Sequence, residues 1–96
     1  MTIIIGLYTL QLHLPEARSL KDKRATLKSM TKRLHNTYNV SVAETDENEK
    51  WQSAEIAIAV VSNQRRHSEA VLEKCVAFIE KNYPQVLITQ QTLELL

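Results

Sequence analysis

One glycine and two prolines in 96 residues leave this chain few means of turning sharply. Regular elements must dominate it, and a glycine-rich cradle for phosphate is excluded. A single cysteine, Cys75, rules out an internal disulfide and fits a reducing cytoplasm. Five aromatic residues are too few, and too scattered, for the paired stacking platform of sheets that read single-stranded RNA. No apolar run approaches the roughly 18 residues of a membrane-spanning helix. The apolar start, Ile3–Leu14, is broken by Thr9, Gln11 and His13. It has no basic flank or small-residue cleavage site, so it reads as structure rather than as a leader.

Catalytic and metal-binding patterns are equally sparse. No nucleophile–base pairing and no cofactor fingerprint is present. His13, His35 and His67 fall on three different expected elements and share no metal-ligand spacing. The acidic run Glu44, Asp46, Glu47 and Glu49 lacks the spacing and the glycine of a calcium loop, and reads as a solvated hairpin tip. Cys75 lies among Leu72, Val76 and Ile79, the setting of a buried, inert thiol. The expectation is a non-enzymatic protein without cofactor or metal.

What the chain does have is charge placed unevenly. Net charge is only +1, yet residues 1–40 hold seven Lys/Arg against two acids, and residues 41–96 five against nine. Much of the excess falls on one segment. In residues 19–38, Leu20, Leu27, Met30, Leu34 and Tyr38 share one helical face, while Lys21, Arg24, Lys28 and Lys32 share another. After Asp22 this helix carries no carboxylate, whereas solvated helices usually mix both signs. Arg18 and Lys23 extend the basic patch at the helix start. Repeated at about one helical turn, these side chains suit a phosphate backbone.

Periodicity supplies the rest of the architecture. Ile3–Leu14 alternates, with its even residues apolar throughout and Pro15 ending it, as expected of a strand. Ser19 is an N-cap, and Asp22 three residues later gives near-capping-box chemistry. A short strand over Val40–Glu44 and a longer one over Trp51–Ser62 form a hairpin around the acidic turn. Ser62-Asn63 offers helix-start chemistry for a second helix over Arg65–Asn82, which Tyr83-Pro84 stops. A last strand covers Gln85–Leu95. The order β-α-β-β-α-β with right-handed crossovers predicts an α+β, ferredoxin-like sandwich over residues 1–96. It is a four-stranded antiparallel sheet, first and third strands central, with two helices on one face.

The other sheet face is then expected to carry Ile3, Ile5, Leu7, Trp51, Ala57, Ala59 and Val61, too apolar for open water. A homodimer packed through Ile3, Ile5, Leu7 and Trp51 accounts for it. The alternative is cover from strand curvature and the C-terminal Leu93–Leu96.

Several segments resemble the YlxP-like family, a bacterial family of small proteins of unknown function. They are Gly6-Leu7-Tyr8-Thr9, Pro15–Arg24 with its Ser-Leu-Lys-Asp-Lys-Arg block, Leu27-Lys28-Ser29, Asn39–Glu44 and Trp51-Gln52. The resemblance spans essentially the whole chain and implies a ferredoxin-like fold. Genes of the family commonly lie near those of initiation factor two and ribosome-binding factor A, which implies by association a role around translation. The family brings no established catalytic residues. Three functions remain open on these grounds. The first is a cytoplasmic module bound to structured RNA or a ribosomal subunit through Arg18, Lys21, Lys23, Arg24, Lys28 and Lys32. The second is a homodimeric interaction module with no nucleic-acid role. The third is a ligand-sensing or catalytic domain with a pocket at a dimer cleft.

Overall fold

Alternation in the first strand forces a choice of face, and the even set goes inward. A computed structural model describes residues 2–46 and 49–96. In it β1 (Ile4–His13) buries Ile4, Gly6, Leu10 and Leu12, while its odd residues face the other way. Then follow α1 (Leu20–Thr37), β2 (Ser41–Asp46), β3 (Ser53–Ser62), α2 (Arg65–Asn82) and β4 (Leu87–Leu95). The strands pair antiparallel in the order β2-β3-β1-β4, so β1 and β3 are central. Both helices cover one face, α2 over β1 and β3 and α1 toward β2. This is the expected ferredoxin-like α+β fold.

The core is where the three apolar faces meet. Leu10, Leu12, Ile56, Ile58 and Val60 rise from the sheet to meet Leu27, Met30 and Leu34 of α1 and Leu72, Cys75, Val76 and Ile79 of α2. Gly6 lets α2 come close. A Cβ at this position would stand 3.1 Å from both Leu72 Cδ1 and Ser68 Cβ, and 3.2 Å from Val60 Cγ1. Between the helices, the buried Tyr83 places its hydroxyl 2.7 Å from Ser29 Oγ and accepts from Arg33 Nη1 at 3.1 Å. The Arg33 guanidinium also lies over the rings of Phe78 and Tyr83, 5.2 and 5.3 Å from their centroids. Arg33 is thus committed to packing α1 on α2.

Local chemistry explains the ends of the elements. Ser19 Oγ accepts from Asp22 N and caps α1, and Asp22 Oδ2 accepts from Arg18 N just before the helix. The helix-start chemistry expected of Ser62-Asn63 does not cap α2. Gln64 is its N-cap and makes no side-chain cap bond. Ser62 folds back on Gln64 instead, and its Oγ lies 2.6 Å from that of the buried Ser68. β2 runs through Glu44 and Thr45 to Asp46, so these residues belong to the strand rather than to the expected acidic turn. Glu47, assigned to that turn, lies outside the described residues.

Candidate nucleic-acid interface

The side of α1 that faces away from the core carries the cations. Capping by Ser19 and Asp22 sets the helix phase, and burial of Leu27, Met30 and Leu34 fixes its roll. Lys21, Arg24, Lys28 and Lys32 are consequently exposed, with Arg18 exposed just before the helix. From Lys21 to Lys32 the row runs about 16 Å at 1.5 Å per residue. Among the described residues, none of these five side chains enters an ion pair or a side-chain hydrogen bond. Beside the row, Arg24, Leu27, Lys28 and Thr31 of α1 and Val42, Ala43 and Glu44 of β2 line a groove of about 240 Å³.

Lys23 does not belong to this row, which corrects the sequence reading. It is only 1 % exposed, and its Nζ donates to Ser53 O at 3.1 Å. The reason is in the spacing: Lys23 is three residues after Leu20 and four before Leu27, so it lies on the apolar face. Its ammonium ties the start of α1 to the start of β3 and is not presented to a partner.

Trp51 also departs from expectation. It precedes β3, in a turn, and is 53 % exposed. Leu7 pairs with Ala59, and the six residues from there to Ser53 span about 20 Å of strand. Trp51 lies beyond that and cannot share a patch with Ile3, Ile5 and Leu7. Gln52 holds the turn in place: its carbonyl accepts from Leu14 N and His13 Nδ1, and its Nε2 donates to Pro15 O and Ala17 O. His13, Glu49, Lys50, Trp51, Gln52 and Ser53 surround a cleft of about 510 Å³ at this end. Sequence reasoning missed the cleft, because the partners of Gln52 lie 35 or more residues away in the chain.

The apolar end of the outer sheet face is the opposite one. Ile3, Ile5, Leu7 and Ala59 meet there with Val61, which is 68 % exposed. The C-terminus does not cover them. Leu96 exchanges two backbone hydrogen bonds with Ile5 and stays exposed, so it widens the patch. Leu93 pairs with Tyr8 on the helix side of the sheet. Toward the Trp51 end the outer face turns polar, where Gln11 Nε2 and Thr45 Oγ1 both donate to the Glu55 carboxylate.

Titration adds one fact: burial pushes the Cys75 thiol up from 9.0 to about 11, as expected of an inert core cysteine. Among the described residues, no group of three or more His, Cys, Asp or Glu could hold a metal ion. Nor is any helix there long and apolar enough to cross a membrane.

Comparison with known proteins places the chain. A designed protein, De novo designed protein Foldit4, is 10 % identical with a TM-score of 0.55, over 98 % of this chain and 96 % of that one. A C-terminal segment of the alpha subunit of aIF2 from Pyrococcus abyssi is 16 % identical, also with a TM-score of 0.55. That match covers 97 % of this chain and 50 % of the other. At these identities both likenesses concern the fold alone. The Uncharacterized protein YlxP of Bacillus subtilis (strain 168) is 36 % identical over 83 residues, 86 % of this chain and 89 % of the relative. Residues 5–92 match the family described as Protein of unknown function (DUF503). The chain therefore belongs to the DUF503, YlxP-like family.

Proposed function

We propose that this protein is a non-enzymatic cytoplasmic accessory of translation or ribosome assembly that binds structured RNA through the outer face of α1. The observation that carries this reading is the row Arg18, Lys21, Arg24, Lys28 and Lys32, exposed and without carboxylate partners among the described residues. A straight row of cations on a rigid helix matches phosphates in shape and charge and reads no bases. Structured RNA suits it better than single strands, because the outer sheet face presents no paired aromatics. The association of the family's genes with translation genes points the same way.

A salt titration tests this. Neutralising four phosphates predicts a slope of about −3 to −4 for log affinity against log salt. Changing Lys21, Arg24, Lys28 and Lys32 together to Gln should remove binding and leave the circular dichroism spectrum unchanged. Salt-insensitive association, or unaltered affinity in that variant, refutes the reading.

A second reading is favoured by the separate patch of Ile3, Ile5, Leu7, Val61 and Leu96. Two copies packing through it would make a homodimer, with the cation rows left outside.

A further inference from the structure

The open cleft at the Trp51 end, of about 510 Å³, is not used by the phosphate contacts on α1. One of its linings is a half-exposed indole in a turn with little freedom to move. The neighbouring Gln52 makes four hydrogen bonds, accepting two at its backbone carbonyl and donating two from its side-chain amide. Lys23 Nζ fastens the next residue, Ser53, through its carbonyl. A platform held in this way loses little conformational entropy when something stacks on it.

The His13 ring, which also lines the cleft, is held as well. Its Nδ1 faces the Gln52 carbonyl at 3.0 Å, and a carbonyl can only accept, so Nδ1 carries the proton. In the neutral ring Nε2 is then left as an acceptor. An aromatic face beside an oriented ring acceptor and the polar Ser53 suits a flat ligand with N–H donors on its edge. Nucleobases have that chemistry.

The position matters as much as the chemistry. Gln52 binds the carbonyls of Pro15 and Ala17, and Arg18 and Lys21 follow directly. The cleft therefore sits at the end of the molecule where the cation row begins. We propose that Trp51 and His13 form a pocket for one unpaired nucleobase, carried at the end of the RNA whose phosphates lie along α1. This rests on the RNA reading above and adds to it a preference for a duplex with a single-stranded end over a blunt one.

Trp51 is the chain's one tryptophan, so its fluorescence reports on the pocket directly. The full chain is titrated with a blunt RNA duplex, with the same duplex bearing a short 3′ or 5′ overhang, and with adenosine and guanosine monophosphates. Overhang RNA should quench the emission and blunt RNA should not. By anisotropy of labelled RNA, the overhang should tighten binding by about 5- to 150-fold, the range of one base–aromatic stack. Trp51→Leu should abolish that preference and leave blunt-duplex affinity unchanged, and Trp51→Phe should restore part of it. His13→Ala should weaken it. Stacking should also persist at salt concentrations that dissociate blunt RNA. RNA that binds in a salt-dependent way with no overhang preference and no quench overturns the pocket and leaves the phosphate reading standing. If no RNA binds, the phosphate reading fails. Quenching by monophosphates alone then assigns the pocket to a free nucleotide and overturns its place on RNA. Silence with every probe overturns it altogether.

Discussion

Two lysines five residues apart on α1 have opposite roles. Lys28 is exposed, whereas Lys23 is sealed in with its Nζ on the Ser53 carbonyl. Truncating Lys23 removes packed methylenes and leaves a buried carbonyl short of a donor. Lys23→Ala should therefore cost about 2–4 kcal/mol, and Lys23→Met, which keeps the stem, less. Lys28→Ala should stay within about 0.5 kcal/mol. Urea unfolding of the three variants checks the order, and equal losses at 23 and 28 would contradict the burial. The distinction is legible in the sequence once charge is set aside. Helical spacing alone puts Lys23 with Leu20, Leu27, Met30 and Leu34, but residue type drew it into the basic patch. Trp51 is the opposite case: alternation carries a strand back to it, and only contacts with Pro15 and Ala17, remote in sequence, make it a turn.

At the scale of elements, the two helices have equal length and unequal starts. α1 opens on Ser19, whose Oγ accepts from Asp22 N while Asp22 Oδ2 accepts from Arg18 N, whereas α2 opens on Gln64 with no side-chain cap and no acid in its first turn. Ser19→Ala should then cost about 1 kcal/mol, and Gln64→Asp should add about 0.5–1 kcal/mol by supplying an acceptor and a charge favourable to the helix dipole. Thermal melts of the two variants should move in opposite directions. If Gln64→Asp is neutral, the first turn of α2 is satisfied in some other way. Element order and the bounds of α2 follow from apolar periodicity, because that periodicity is what folding buries. The ends of β2 and β4 do not. β2 begins at Ser41 and passes an irregularity at Thr45, and the β1–β4 register shifts at Gln11/Leu12. Such offsets are set by pairing across the sheet, which no local pattern records.

Across the whole molecule, the cation row and the apolar patch lie on opposite layers. The cation row is on the outward side of α1, and the apolar patch is on the far side of the sheet. The patch fills only one end of that face, since Gln11, His13 and Glu55 make the other end polar. Two copies joined there would overlap through the Ile5 ends of their β1 strands and leave their Trp51 ends apart. The two rows of cations would then point away from each other, and one dimer could hold two RNA segments. Self-association and RNA binding should consequently separate by mutation. Leu7→Lys places a charge at the inner edge of the patch, between Ala59 and Glu94, and should shift sedimentation equilibrium from dimer to monomer. The affinity of each protomer for a short RNA duplex should stay the same. The fourfold Gln variant of α1 should do the reverse. A native chain that sediments as a monomer at high concentration would remove the dimer and leave the α1 face and the Trp51 cleft as the contact surfaces. A Leu7→Lys variant that loses both properties would mean that the RNA site is built across two copies.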